Sequence, residues 1–331
     1  MARPFLIGVG ADAVVGGGIV LSAAEKMDLA NDINNDAQRI AKNAEKRSDK
    51  ALKAAKETID ELGKTKVSIM ADSVKKFVDN FSRIKNVRLT DSIGLEELRG
   101  FNPDSPDFLD MKDKSLKLSD VATGVMGGTA AGTATAVGVY SAVGAFGAAS
   151  TGTAISALSG AAATNATLAW LGGGSLAAGG FGMAGGMAVL GGLVAIPALA
   201  ITGLLLSSKA DKALNEAKEN REKARKYEQD AKNLCTAMEA IGARAEQIKN
   251  LLNDLNYAFR PLVSGMISTI NRSGVDWRNY SRDEQTVIGM AAQLAKTIKV
   301  IVDTSLITED GKLRDAETAK VLSAGRALLN G

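Results

Sequence analysis

Two long segments of this chain carry apolar residues every three or four positions, and that spacing predicts two long amphipathic helices. The first segment covers residues 24–86, as one long helix or two collinear ones. Its apolar positions are mostly Ala before Gly63 and larger after it, so we expect Gly63 to mark a phase shift or a weak joint. These positions are Ala30, Ile33, Ala37, Ile40, Ala44, Ala51, Ala54, Val67, Met70, Val74, Phe77, Phe81 and Ile84.

The second segment, from about Lys209 to Phe259, carries the clearest seven-residue repeat. Both segments are lined by Ala at the start and by bulkier residues at the end. This shared gradient predicts that the two Ala-rich starts pack together and that both helices begin at the same end. We expect Pro261 to stop or kink the second helix, because proline has no N–H to donate. One column of the repeat holds Ala210, Ala217, Ala224, Ala231, Met238, Ala245, Leu252 and Phe259; the other holds Ala213, Asn220, Tyr227, Leu234, Ile241, Ile248, Leu255 and Leu262.

Shorter elements follow from turn and capping signals. Asn and Pro residues at 102–107 predict turns, with a helix beginning between Ser115 and Asp120. The C-terminal signals are a capping box of Ser281 and Glu284 that starts a helix to about Ser305, a turn at Glu309-Asp310-Gly311, and a helix over Asp315–Leu329.

Residues 121–208 contain no Asp, Glu, Lys or Arg, although these four types make up 23% of the chain. This 88-residue block holds 20 of the 35 glycines and is rich in Ala, Thr and Ser, which suits helices packed closely on other helices. It is long enough for at least two membrane crossings, since one helical crossing takes roughly 20 apolar residues. The alternative is a block buried within a soluble bundle or oligomer.

Two candidate crossings lie in the uncharged block. The strongest apolar residues of Val121–Ala149 give an insertion free energy of roughly −2 to −4 kcal/mol, and those of Met187–Leu206 give roughly −3 to −6 kcal/mol. Insertion is therefore marginal, as suits a hairpin that a soluble form hides and later releases. The residues that we assign to membrane insertion are Leu190, Leu193, Val194, Ile196, Leu199, Ile201, Leu204, Leu205 and Leu206, with Trp170 as an interfacial anchor or a core residue.

Glycines at four-residue spacing form two ridges in the block, at Gly124, Gly128 and Gly132 and again at Gly182 and Gly186. Such ridges let helix backbones touch in lipid. Lysines stand on both sides of the block, which predicts that both flanks stay on one face of the membrane and that the number of crossings is even. These lysines are Lys112, Lys114, Lys117, Lys209 and Lys212.

Composition excludes several classes of function. There is no His and only one Cys, Cys235, so a His-dependent triad, a His-ligated or Cys-rich metal site and an intrachain disulfide are ruled out. A net charge of +3 without a basic stripe argues against nucleic acid. Glycine motifs at Gly8 and Gly180 lack the βαβ context of a dinucleotide site. We expect no catalytic residue, no cofactor, no metal and no small-molecule substrate.

The layout of long amphipathic helices around a Gly/Ala-rich hydrophobic hairpin, over residues 24–262, resembles that of α-helical pore-forming and membrane-inserting proteins. Apolipoprotein L-like proteins and colicin-like pore domains look similar. The stretch 163–180, in which Gly172-Gly173-Gly174 follows Trp170 closely, looks like segments of uncharacterised bacterial proteins of this type. The resemblance implies membrane activity, and it transfers no role to any residue.

We therefore predict an all-α fold, a long coiled-coil-like helical bundle with a central hydrophobic helical hairpin. Its segments are an apolar N-terminus (1–23), an amphipathic helix and linker (24–120), the uncharged block (121–208) and a heptad helix with C-terminal helices (209–331).

We expect a non-enzymatic protein that inserts the hairpin and oligomerises to permeabilise or remodel a bilayer, as a toxin, cell-suicide effector or phage-injected protein. The alternative is a structural coiled-coil protein whose block mediates assembly in water. The expected partners are a lipid bilayer and further copies of the chain. We expect synthesis in the cytoplasm and movement to a membrane, with the N-terminal segment uncleaved and secretion left open.

Overall fold

A computed structural model describes residues 21–89, 98–122, 210–307 and 312–330 of the chain. Within these ranges the regular structure is helical and there is no strand, which confirms the all-α fold. No helix in the described ranges combines the length and the apolarity that crossing a membrane requires. The elements are α1 (Ala23–Ile69), a π-helical turn (Met70–Val74), α2 (Lys75–Phe81), α3 (Pro106–Ala122), α4 (Ala210–Ser273), a 3-10 turn (Trp277–Asn279), α5 (Arg282–Asp303) and α6 (Asp315–Asn330).

The chain divides into two compact units, and helices α1 and α4 contribute residues to both. Of the described residues, the smaller unit takes 21–46 and 210–231, and the larger unit takes 47–89, 98–122, 232–307 and 312–330. Each unit has its own buried side chains, so each is described separately.

The smaller unit packs the Ala-rich starts of α1 and α4 against each other. Lys26 Nζ forms an ion pair with Asp211 Oδ1 at 2.7 Å, and Asn220 Nδ2 donates to Asn34 Oδ1 at 3.1 Å. Because later residues of α1 meet later residues of α4, the two helices run parallel here. The predicted packing of the two starts, with both helices beginning at one end, is confirmed. The core between them contains Ala30, Ile33, Ala213, Leu214 and Ala217.

The larger unit keeps the same parallel pairing of α1 with α4. Lys249 Nζ contacts Glu61 Oε2 at 2.7 Å, and a methyl group added at Gly242 would lie 3.7 Å from the Ala55 Cα, an ordinary contact. Helix α6 approaches α4 and α5 more tightly at Gly325. A methyl group there would lie 2.7 Å from the Leu251 Cδ2 and 3.3 Å from the Ile301 Cδ1, so any larger residue would require these side chains to shift.

The irregularity predicted at Gly63 is wrong. Helix α1 continues through Gly63, which is buried, and the backbone changes only at the π-helical turn Met70–Val74. One of the apolar positions predicted to be buried in α1 is also wrong. Ala54 is exposed, and the adjacent Ala55 is buried instead. The column of buried residues in α1 includes the polar Ser48, which is 3% exposed. A search for apolar residues skips Ser48 and therefore places the next buried residues incorrectly.

The predicted seam of α4 is buried along most of its length, with Ala210, Asn220, Tyr227 and Leu262 only half-buried. Pro261 does not stop the helix, which continues to Ser273. Proline removes the hydrogen bond to the carbonyl of Tyr257. Both residues are exposed, Tyr257 at 85%, so water can replace the lost donor. The helix ends instead at Gly274, whose φ of +80° is the left-handed conformation typical of a helix C-terminus.

The remaining helices match the sequence in part. The capping box of Ser281 and Glu284 is present at the start of α5, and α6 lies where the terminal helix was predicted. Helix α3 begins at Pro106 rather than between Ser115 and Asp120. The turn predicted at Glu309-Asp310-Gly311 lies outside the described residues.

Candidate functional site

The residues predicted to insert into a membrane and to form the glycine ridges, from Gly124 to Leu206 with Trp170, lie outside the described residues. The described part of the candidate site is the place where the uncharged block joins the helical scaffold. Val121 and Ala122, the first two residues of the block, are the last two residues of α3. The way α3 is held therefore bears directly on the block.

Local sequence explains where α3 starts. Asn102 Oδ1 accepts a hydrogen bond from the Asp104 N–H at 2.9 Å, which closes a turn. Ser105 follows, and its backbone carbonyl accepts from the Leu109 N–H at 2.9 Å, the first bond of the helix. Pro106 occupies the first helical position, where its missing N–H costs nothing. The Ser-Pro-Asp sequence is thus a helix start as well as a turn signal.

Five phenylalanines form an aromatic cluster that receives one side of α3. Phe108, on α3, lies 5.4 Å from Phe81 and 6.4 Å from Phe77 between ring centroids. Phe101 and Phe259 complete the cluster at 5.9 Å from Phe108 and 5.7 Å from Phe77 respectively. All five rings are buried. The sequence showed Phe77, Phe81 and Phe259 on helix seams but gave no reason to join them to Phe101 and Phe108.

The π-helical turn Met70–Val74 is the part of the α1–α2 stretch on which α3 packs most closely. Met70, Ser73 and Val74 of this turn are buried. Regular helices avoid π turns, and single π turns recur at functional positions. Here the turn coincides with the contact between α3 and the scaffold.

A charge cluster of Asp110, Lys114, Lys299 and Asp303 joins α3 to α5. Between the helices, Lys299 Nζ lies 2.7 Å from Asp110 Oδ2 and Lys114 Nζ lies 2.9 Å from Asp303 Oδ1. Within each helix, Lys114 meets Asp110 at 3.0 Å and Lys299 meets Asp303 at 2.8 Å. The side chains range from 14% exposed at Lys299 to 45% at Asp110, so water and salt reach the cluster.

Hydrogen bonds in the charge cluster shift the ionisation of Asp110 and Lys299. Partial burial disfavours the charged form of Asp110, but hydrogen bonds from Lys299 and Lys114 outweigh burial and hold the pKa of Asp110 below its usual value. Burial likewise opposes the charge on Lys299, while hydrogen bonds to Asp110 and Asp303 raise its pKa. Asp110 and Lys299 are therefore held in their charged forms. Lys114, which the sequence marked as a flanking positive charge, is committed to these pairs.

Lys66 is 1% exposed and interacts with the charge of Asp303, a member of the charge cluster. Its Nζ donates to the carbonyl oxygens of Val302 at 3.0 Å and Thr304 at 3.4 Å, at the C-terminal end of α5. Helix ends leave such carbonyls unpaired, and a cation there also meets the negative end of the helix dipole. Burial lowers the pKa of Lys66 to about 8, and the nearby Asp303 charge opposes that effect.

The end of α2 is fastened by backbone hydrogen bonds. The Lys85 N–H donates to the Val275 carbonyl at 2.7 Å, and the Trp277 N–H donates to the Lys85 carbonyl at 3.0 Å. Asn86 takes a left-handed φ of +59°, and its Nδ2 donates to both carboxylate oxygens of Asp276 at 3.2 Å. The α2 side of the aromatic cluster is thus tied to the connection between α4 and α5.

The described residues contain no group of three or more Cys, Asp or Glu placed to hold a metal ion. Cys235 is a half-buried free thiol. Comparison with protein-family models, with curated proteins and with solved structures gives no match.

Proposed function

We propose that this chain is a non-enzymatic, membrane-active protein that inserts residues 121–208 into a bilayer as a helical hairpin, and that copies of it then associate to permeabilise or remodel the membrane. The observation that carries the proposal is an 88-residue block without a charged side chain in a chain whose charged residues make up 23% of the whole. Burying so long an uncharged segment in water requires a large cover. A bilayer removes that requirement.

The scaffold described above supports this proposal. Helices α1 and α4 supply long amphipathic surfaces whose own apolar sides are already buried. The block is joined to them through α3 on one side and α4 on the other. Such a scaffold keeps the protein folded while the block moves between environments.

A second candidate is a structural protein whose Gly/Ala block mediates assembly in water. The parallel, Ala-lined pairing of α1 with α4 favours it, because small residues also allow close helix association between chains. This candidate predicts polymers that form without lipid.

Flotation with liposomes and release of an entrapped dye separate the two candidates. Leu193→Arg places a charge in the stronger predicted span and opposes insertion by ~3 kcal/mol, comparable to the whole insertion free energy of that span. The matched control is Lys223→Ala at an exposed position of α4. We expect the control to float and release dye like the parent protein and Leu193→Arg to do neither. A folded Leu193→Arg protein that still does both would end the insertion proposal.

Single-cysteine labelling tests the even number of crossings. The label on the α3 side is placed at the exposed Asp113, and the exposed Lys212 serves the α4 side. In a Cys235→Ser background, we expect Asp113→Cys and Lys212→Cys to react with an impermeant reagent from the same face of a vesicle. Labelling from opposite faces would contradict the hairpin.

A further inference from the structure

We propose that α3 is a releasable helix: docked on the π-helical turn and the aromatic cluster and held by the charge cluster, it restrains the uncharged block, and its undocking precedes insertion. This inference rests on the proposed function and adds a regulated step to it. Helix α3 runs directly into the block, so the first candidate span cannot move into a bilayer freely while α3 stays docked.

The contacts on the two sides of the aromatic cluster differ in kind. The α2 side is tied by backbone hydrogen bonds between Lys85 and residues 275 and 277. The α3 side is joined to α5 by side-chain ion pairs that are 14–45% exposed. Side-chain ion pairs that water reaches are weaker than paired backbone groups, which are costly to separate. Helix α3 is therefore the side that can leave.

The π-helical turn supplies a second reason. A π turn is an uncommon backbone state that persists where surrounding contacts select it. At Met70–Val74 those contacts include α3. When α3 leaves, the stretch from α1 to α2 can relax to a regular α-helix, which offsets part of the contact energy that undocking loses.

Charge reversal at Asp110 tests the restraint in the folded protein without lipid. Asp110→Lys places a third cation beside Lys114 and Lys299, whereas Asp113→Lys makes the same charge change on α3 at an exposed residue whose ion pair is with Lys117 of the same helix. Asp110→Lys loses the ion pairs with Lys114 and Lys299, and each lost pair changes the undocking equilibrium by up to about fivefold. Together with the added repulsion, this should speed amide hydrogen exchange across α3 about tenfold or more. Asp113→Lys should change it little. Equal exchange in the two variants would overturn the inference.

A reversible crosslink tests the link to membrane activity in one protein. Asp110→Cys and Lys299→Cys, in a Cys235→Ser background, replace an interhelical ion pair with two thiols that a short reducible bis-methanethiosulfonate reagent can join. With phosphatidylcholine vesicles containing phosphatidylglycerol, we expect the crosslinked protein to release no dye and the reduced protein to release it at least as fast as the Cys235→Ser parent. A crosslinked protein as active as the reduced one would overturn the role of α3 but leave insertion standing. If neither form nor the parent binds or permeabilises vesicles, the proposed function fails and the inference fails with it.

Discussion

Replacing Lys66 with Met should change how the stability of the larger unit depends on pH. The Lys66 ammonium is buried, and its pKa falls from 10.5 to about 8 in the folded state. Between these two pH values the unfolded chain binds a proton that the folded chain does not, so the free energy of unfolding rises with pH across this window. A shift of this size corresponds to about 3 kcal/mol. Below pH 8 the folded state carries the cost of the buried charge, and above pH 10.5 it does not.

The same substitution also removes the donor to the carbonyls of Val302 and Thr304 at the end of α5. Leaving buried acceptors without a donor costs about 1–3 kcal/mol, close to the gain from removing the charge. We therefore expect Lys66→Met to be near neutral at pH 7 and clearly destabilising at pH 10.5. The pH dependence of the difference between the two proteins is more informative than its value at a single pH.

Urea unfolding followed by circular dichroism at several pH values from 7 to 10.5 measures this difference. Groups shared by both proteins, such as Tyr280 with its raised pKa, cancel when one curve is subtracted from the other. The control is Lys64→Met, two residues away on the same helix and exposed, which removes a lysine without removing a buried ammonium. A difference curve for Lys66→Met with the same slope as that of the control would refute the burial argument.

Three further changes test packing and capping, each by urea unfolding. Gly325→Ala should destabilise the folded protein by about 1–3 kcal/mol through overpacking. Gly242→Ala should stabilise it by up to about 1 kcal/mol, because there is room for a methyl group at this position. Equal effects of the two substitutions would contradict the close approach of α6. Ala217→Leu should cost about 1–3 kcal/mol because this residue is fully buried in the Ala-lined seam, and exposed Ala240→Leu should cost little; unchanged stability in Ala217→Leu would argue against close packing. Hydrogen bonds from Arg272 and from Ser281 hold the pKa of Glu284 at about 2, below its ordinary 4.5, so its contribution to the stability of the folded state is present above pH 4.5 and is lost as pH falls towards 2. Glu284→Gln should lack that acid-dependent loss of stability. The same dependence of stability on acid pH in the variant and in the parent would contradict the assignment.

The sequence predicted the helices where one rule governs a long run of residues. The Ala columns of α1 and α4 and their shared gradient predicted the direction of the pairing and most of the buried positions, because a stripe of small residues at helical spacing packs against another helix. The capping box of α5 was equally clear, since two side chains three residues apart satisfy each other's backbone. Both signals are local, and they need no knowledge of what lies across the contact.

The errors arose where polar residues enter the core or where partners are distant in sequence. Ser48 and Lys66 are buried in α1, and an apolar pattern search skips both of them. Lys66 is tolerated because the end of α5, over 200 positions later, presents carbonyls to it. Asp110 and Lys114 stand at a spacing of four residues, which indicates an ion pair within one helix. Nothing in the sequence indicates that Lys299 and Asp303 on α5 are their partners.

The free energy of undocking α3 is comparable to the free energy that insertion would supply. Exposing Phe108, Met111 and Leu118, all buried, costs about 5–9 kcal/mol at about 1.5–3 kcal/mol each. The two interhelical ion pairs add at most about 2 kcal/mol. The first predicted span contributes only roughly −2 to −4 kcal/mol, which cannot meet this cost, whereas both spans together contribute roughly −5 to −10 kcal/mol. The undocked state of α3 should therefore persist only when the second span also inserts, so the proposed hairpin enters as a unit. A change confined to Met187–Leu206, such as Leu193→Arg, should leave α3 docked on vesicles as well as in solution.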